Sequence, residues 1–387
     1  MILDINYHIN MKICVISHDY PDKNRSVFTF VAQLIEEIAR LGHECYVIAP
    51  YSVTKNRGFS KNKEIKSVGA GSVTIIRPNY ISMSTLKIGS FSFSNFFYSR
   101  AIERSLKKLL PNVDCVYGHF WNSALCAYHQ AKRYNTPLFV ATGESTIPQN
   151  VIDTKFNDFY NYVSGVICVS SKNKEESIRA GLTVAEKCIV LPNSINPLIF
   201  HKMDRSNCRL KLGISNDKFI VAFVGWFDER KGVIRVSQAI NQIQDGNIYS
   251  FFIGSGELEP VCENILFKGR LSHNEIATYL NAADVFVLPT LREGCCNAIV
   301  EAMACGLPIV SSDLSFNHDI LNKDNSIMVE PYDIDAIASA VNSMYCDKLR
   351  RAELSAHSLT EAKKYTIENR AKQIINYIKS KMQTINS

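Results

Sequence analysis

The stretch that most constrains this chain is residues 284–310, DVFVLPTLREGCCNAIVEAMACGLPIV. Its opening apolar run, Asp284 to Leu288, reads as a strand of a parallel sheet buried on both faces. Pro289 and Thr290 leave the strand, and Glu293-Gly294 opens a tight turn. From Asn297 to Ala304 the pattern is helical. Gly306 stands at a C-cap position with Pro308 beyond it, and Ile309 and Val310 begin another apolar run. A strand–loop–helix–strand unit of this kind belongs to an α/β sheet whose ligands gather at the strand carboxyl ends.

The chemistry of the stretch lies in its loop. Gly294, Cys295, Cys296 and Asn297, with Ala298 in the first turn, sit where a helix N-terminus leaves backbone N–H groups free and carries positive dipole charge, a natural seat for phosphate. Glu293 precedes that seat and Glu301 follows eight residues on, a little over two helical turns, so both carboxylates can face one cleft. A carboxylate accepting two hydroxyls suits a sugar, and a pyrophosphate between two sugars fits this spacing. Glu301 stands among Ile299, Val300, Ala302, Met303 and Ala304, and a lone acid on so apolar a helix is costly unless something pairs with it.

Glu293-Gly294 through Glu301, followed by Ala302-Met303-Ala304-Cys305-Gly306-Leu307-Pro308, resembles the E-x7-E segment of the retaining GT-B glycosyltransferases of family 4, the glycosyl transferases group 1. The resemblance implies that Glu293 contacts the donor sugar and that Glu301 holds the nucleotide ribose.

Length and composition agree with such a protein. The 387 residues suffice for two domains with separate cores, and 46% hydrophobic and 21% charged residues are ordinary for a globular chain. No run of 18 apolar residues marks a membrane span, and MILDINYHIN lacks the basic start and apolar centre of a signal peptide. Twelve cysteines include no C-x-x-C pair, and several sit in apolar strand-like runs, so they read as reduced core residues in a cytoplasmic protein, not as staples or metal ligands. The net charge of +6 is uneven: residues 51–110 hold eleven Lys/Arg and two acids. That patch suggests an anionic partner such as phospholipid head groups, and nothing points to nucleic acid.

Along the first half, Met11–Ser17, Phe28–Leu41 and His43–Pro50 form a βαβ opening, with residues 51–70 expected as a Lys-rich surface loop. The family usually carries a glycine pair in the first loop. Here Asn24-Arg25-Ser26-Val27 stands there, so a side chain, Arg25, is the candidate for the acceptor side. Residues 90–110 are amphipathic, with Phe96, Phe97, Ile102, Leu106, Leu109 and Leu110 opposite Arg100, Arg104, Lys107 and Lys108. Two readings stay open for this helix: it lies in an anionic membrane interface, or it packs on its own sheet with a solvated basic face. Strands at Val113–Tyr117 and Pro137–Thr142 lead into loops that supply the other acceptor-side candidates, His119 and Glu144. Gly143 occupies the place of a histidine that touches the donor sugar in many relatives.

The second half opens at Phe219–Gly225, whose exit Gly225-Trp226-Phe227-Asp228-Glu229-Arg230-Lys231-Gly232 leads into a helix. It lacks the P-loop order, and Lys231 is placed as a point charge on a phosphate at a second helix N-terminus. In the family a Lys and an Arg neutralise the donor diphosphate. Lys231 matches the Lys, Trp226 replaces the Arg, and Arg230 is the candidate for the second charge. The resemblance also gives Arg270-Leu271 backbone contact with the base.

The expected fold is α/β of the GT-B class, two Rossmann-like doubly wound domains facing across a cleft. The boundaries are 1–195 for an acceptor-binding domain, 196–365 for a nucleotide-sugar-binding domain, and 366–387 for a helix crossing back. The expected activity is sugar transfer with retention from a nucleotide-diphosphate sugar to an acceptor hydroxyl, a glycan or polyprenyl-linked lipid. Glu293, Lys231 and Arg230 act at the reacting end, with no metal or other cofactor. The setting is cell-surface polysaccharide or glycolipid assembly at the cytoplasmic face of the membrane. The alternatives are a non-catalytic partner subunit, or an epimerase or phosphorylase of the same architecture.

Overall fold

In a computed structural model, backbone is described for residues 10–23, 25, 27–60, 63–83, 87–88, 91–152, 157–243 and 245–386. Asn24 and Ser26 of the first loop therefore lie outside the described residues. The chain forms two compact units, one of residues 1–169, 173–191 and 370–387, the other of residues 170–172 and 192–369.

The first unit is built on an eight-stranded sheet. Its strands are β1 (Lys12–Ile16), β2 (Glu44–Ile48), β3 (Lys63–Val68), β4 (Gly71–Ile76), β5 (Cys115–His119), β6 (Leu138–Thr142), β7 (Val163–Cys168) and β8 (Cys188–Val190), in the order β8-β7-β6-β5-β1-β2-β4-β3. All neighbours are parallel except β3 and β4. Alternate side chains of the strands feed two cores. Ile13, Val15, Cys45, Val47, Val73 and Ile75 pack with helix α1 (Thr29–Arg40), while Cys14, Ile16, Ile48, Val116 and Val140 pack with helices α2 (Phe93–Leu109) and α3 (Trp121–Arg133).

Two sequence expectations change here. Residues 63–68, expected in a loop, form the edge strand β3, joined to β4 by a tight turn at Gly69 with φ +58°. Its side chains are largely exposed, so the strand lacks the apolar alternation that marks a half-buried one. The apolar stripe of α2 is buried in its own unit through Tyr98, Ala101, Ile102 and Leu106, so the helix packs on its sheet as one of the two readings expects. Phe96 alone of the large apolar residues of α2 is well exposed, with the Arg100 guanidinium 5.5 Å from its ring centre.

The second unit is a six-stranded parallel sheet of β9 (Phe219–Phe227), β10 (Ile248–Gly256), β11 (Ile265–Gly269), β12 (Val285–Leu288), β13 (Ile309–Ser312) and β14 (Ser326–Val329), ordered β11-β10-β9-β12-β13-β14. The chain runs outward from β9 to β11 and then returns to the other side of β9 with β12. The loops after β9 and β12 thus diverge at a topological switch point, where α/β sheets place their ligands. Helices α4 (Val233–Ile243) and α5 (Asn297–Ala304) begin directly after those two loops. The sheet is anchored beneath by Asp284, whose buried carboxylate accepts from the Ile220 N–H at 2.8 Å and from the buried Arg209 guanidinium at 2.7 Å. Arg209 also donates to the carbonyls of Ala282, Asn216 and Lys218, so the buried charge pair is fully hydrogen-bonded.

Candidate active site

The switch-point loops of the second unit bring Lys231 and Glu293 together. Lys231 precedes Gly232, whose φ of +80° suits glycine, and its N–H donates to the Asp228 carboxylate at 2.8 Å. The lysine stem lies against Gly225, where an added Cβ would stand 3.4 Å from the Lys231 side chain. Beyond this contact the stem ends in a buried ammonium. That ammonium meets the Glu293 carboxylate at 2.7 Å and the Cys296 thiol at 3.8 Å. Burial opposes the charge, but Cys296 and Glu293 hold it, and the Lys231 pKa ends above the ordinary lysine value.

Arg230 also reaches Glu293 through a direct ion pair and is further tied to the Arg292 carbonyl and, at 3.8 Å, to Asp228. Glu293 is therefore gripped by two cations and by the Thr290 hydroxyl at 3.0 Å. Thr290 is in turn fixed by the Ser312 hydroxyl, which donates to its carbonyl at 2.7 Å. The loop is a rigid mount for one carboxylate, and the Ser312 bond that fixes it, reaching over from another strand, has no local signal in the sequence.

Helix α5 begins at Asn297 with Cys296 at its N-cap, and no side chain caps it. Asn193, read from sequence only as part of a hinge, donates to the Cys295 carbonyl at 3.2 Å and to the Asn297 side chain at 2.8 Å, fixing the turn that presents Gly294 to Ala298. Burial pushes the Cys296 thiol up from its usual range, which makes it packing and not a nucleophile.

The Glu301 carboxylate has no hydrogen bond or ion pair among the described residues. Burial pushes its carboxyl up to about 7, with the Lys231 charge drawing it partly back. Lys231 therefore shares an electrostatic neighbourhood with Glu301 as well as with Glu293. A poorly solvated acid without a partner, one turn into a helix whose N-terminus is uncapped, is positioned to accept a ligand's hydroxyls.

At the neighbouring strand ends, Trp226 is 56% exposed and the Arg270 guanidinium stands 5.3 Å from its ring centre. Arg270 donates to the Ser255 hydroxyl at 2.6 Å and forms no ion pair among the described residues. From the end of β11 its side chain reaches back across β10 to β9, about two strand spacings of roughly 5 Å toward the switch point. Leu271 follows it, partly buried.

The three candidates of the first unit fall in different settings. Arg25 is held by Asp22 at 2.8 Å and Asp19 at 3.2 Å, over the Tyr51 ring. Glu144 accepts from the Trp121 N–H, the Thr142 hydroxyl and the Gly143 N–H at 2.6–2.9 Å, so it binds the loop after β6 to the start of α3. His119 ends β5 in an aromatic cluster, 4.4 Å from Phe120 and 5.6 Å from Phe30 between ring centres, with neither ring nitrogen hydrogen-bonded. Burial, helped by the charge of Arg370, lowers its pKa to about 3, so the imidazole is neutral at any working pH. A Cβ at Gly143 would lie 3.2 Å from Val169, so a histidine there would require that valine to yield.

Among the described residues no group of three His, Cys, Asp or Glu could hold a metal ion, and no helix is long and apolar enough to cross a membrane.

Comparison with known proteins points the same way as this geometry. Residues 27–197 match the family described as Glycosyltransferase Family 4, and residues 218–347 match Glycosyl transferases group 1. The chain is 23% identical to the putative teichuronic acid biosynthesis glycosyltransferase TuaC of Bacillus subtilis, over 89% of this chain and 92% of that one. It is 30% identical to the UDP-Gal:alpha-D-GlcNAc-diphosphoundecaprenol alpha-1,3-galactosyltransferase of Escherichia coli, over 63% of this chain and 70% of that one. In fold it is similar to Anabaena Alr3699/HepE, solved in complex with UDP-glucose, with a TM-score of 0.72, 16% identity, and coverage of 96% of this chain and 100% of that one. With both halves matched in order and the GT-B architecture in place, the chain belongs to the glycosyl transferases group 1 of glycosyltransferase family 4 and is an enzyme of the hexosyltransferase type.

Proposed function

We propose that this enzyme moves a hexose with retention of anomeric configuration from a nucleoside-diphosphate sugar to a hydroxyl of a glycan or polyprenyl-linked lipid. The product would serve cell-surface polysaccharide or glycolipid assembly at the cytoplasmic face of the membrane. The observation that carries the reading is the cluster in which Lys231 touches Glu293 and its charge acts on the unpartnered Glu301, at the uncapped start of α5. The donor class and the lipid-linked acceptor draw further support from the relatives, one named for UDP-galactose and a diphosphoundecaprenol acceptor, another solved with UDP-glucose.

In this reading the diphosphate sits on the backbone N–H groups of residues 294–298, with Lys231 on its terminal phosphate. Glu293 accepts hydroxyls of the transferred sugar and Glu301 those of the ribose. Breaking the anomeric C–O bond sends its electron pair to the β-phosphate oxygen, where Lys231 and the N–H groups stabilise the charge. The acceptor oxygen then bonds to the anomeric carbon and its proton passes to the departing phosphate. Cationic side chains and backbone dipoles carry the charge in this scheme, which calls on no metal. Arg230 and Lys231 both contact Glu293, and Arg270, which has no ion pair among the described residues and is held by Trp226 and Ser255, is a further cation for the donor.

The test is turnover of UDP-glucose and UDP-galactose with a diphosphate-linked polyprenyl sugar as acceptor, read by nucleoside diphosphate release and by the anomeric configuration of the product. The reading expects a new α-glycosidic bond from an α-linked donor and no reaction for Glu293→Ala. Sugar 1-phosphate or an epimerised donor as the product would overturn it.

A further inference from the structure

The first unit has a second site that the donor crevice does not use. On the α2 side of the sheet, Tyr46 of β2, Thr74 and Ile76 of β4 and Lys63 of β3 line up across adjacent strands, since Tyr46 pairs with Thr74 and Ile76 with Lys63. Helix α2 covers this face only in part and leaves a hollow of about 510 Å³ between its second half and the sheet edge. The floor is apolar or aromatic, through Ile76, Leu109 and Tyr46. The rim carries Lys63 from the strand side and Arg104 and Lys108 from the helix side.

Three facts make this more than a solvated basic face. None of the three cations has an ion pair among the described residues, whereas Arg100 and Lys66 nearby are paired with Glu103 and Glu36. No Asp or Glu is among the described residues that line the hollow. Glu44, which accepts the Tyr46 hydroxyl at 2.9 Å, has Lys12 beside it at 3.8 Å. The charges also come from two elements that converge over one concavity, instead of running along one helix. Like charges gathered this way repel one another, and a bound anion relieves that repulsion.

We infer that the hollow between α2 and the β4–β3 edge binds a phosphate ester, with the phosphate among Lys63, Arg104 and Lys108 and the organic part against Tyr46, Ile76 and Leu109. An arginine flanked by two lysines matches phosphate in both charge and donor geometry. The same chemistry is offered by a soluble phosphorylated polyol and by the head group of an anionic lipid. The site is independent of the donor reading, because every residue in it belongs to the first unit.

Calorimetry with glycerol 3-phosphate and flotation with phosphatidylglycerol or phosphatidylcholine vesicles test this on the full chain. Two variants are compared with the wild type: Lys63→Gln/Arg104→Gln/Lys108→Gln, which removes the charge, and Ser105→Trp, which keeps the charge and fills the hollow. A UDP thermal shift and the far-ultraviolet spectrum check that both fold. The expected result is binding by the wild type that weakens at least tenfold in each variant, with the UDP response unchanged. Binding of glycerol 3-phosphate identifies a soluble ester as a ligand, and capture by phosphatidylglycerol vesicles alone identifies a lipid head group. No binding in either arm, or capture that Ser105→Trp leaves unaltered, would overturn the inference.

Discussion

Glu301 should make the ligand-free protein less stable as pH rises, and Glu301→Gln should remove that cost. The carboxyl stands at about 7 in the folded chain against an ordinary 4.5. Ionising it in place costs about 3 kcal/mol at about 1.4 kcal/mol per pH unit between the two values. The side chain is partly exposed, and solvent screening lowers the realisable figure to about 1–2 kcal/mol. Because the folded pKa of an acid is raised, the cost is absent below pH 4.5, grows between pH 4.5 and 7, and is full above 7. Glu301→Gln, close in shape and unable to ionise, should therefore melt about 2–8 °C above the wild type at pH 8, with the two curves converging by pH 4.5. The assay is thermal unfolding of both proteins at half-unit pH steps. If Glu301 also holds ribose hydroxyls, the same variant should bind UDP at least tenfold more weakly, so stability and affinity move in opposite directions. A melting difference that stays constant from pH 4.5 to 8, or a wild type more stable than the variant at pH 8, would refute the reasoning.

Three other perturbations separate mount from mechanism. Glu144→Ala strands the N–H groups of Trp121 and Gly143 and should cost about 2–3 kcal/mol in urea unfolding while leaving UDP binding within twofold. Arg209→Ala leaves the buried Asp284 with only the half-exposed Arg205 as ionic partner and strands three carbonyls, and should cost about 2–4 kcal/mol, whereas loss of an exposed pair would cost under 1. Arg270→Ala should raise the UDP dissociation constant about tenfold, and Trp226→Ala, which removes only the ring beneath it, less than that. An effect of Trp226→Ala larger than that of Arg270→Ala would mean the ring itself meets the ligand.

Local signals in the sequence were enough for the elements that carry the site. Gly306 and Pro308 bound α5 because a left-handed residue and a missing N–H end a helix whatever surrounds it, and Gly306 has φ +77° in the structure. The lysine after β9 likewise follows from strand–loop order, whereas helix pitch does not set the E-x7-E spacing, since Glu293 lies in the loop and only Glu301 is on α5. What escaped depends on tertiary partners. An amphipathic stripe on α2 looks the same whether it meets a membrane or its own sheet, and only the burial of Tyr98, Ile102 and Leu106 decides. Nothing local reveals that Arg230 pairs with Glu293, sixty-three residues on. Glu144 and His119 read alike as polar residues after strands, and only tertiary contacts show three donors converging on the first and an aromatic cluster around the second. The edge strand β3 was invisible because an exposed edge needs no apolar face.

The central claim is that a nucleoside diphosphate docks in the second unit on Lys231 and the start of α5. Calorimetric titration of UDP into wild type and Lys231→Ala tests it most directly. Loss of a buried charged contact to phosphate should weaken binding at least tenfold, about 1.4 kcal/mol or more. Equal dissociation constants for the two proteins, at matched ionic strength, would place the diphosphate elsewhere and contradict the account.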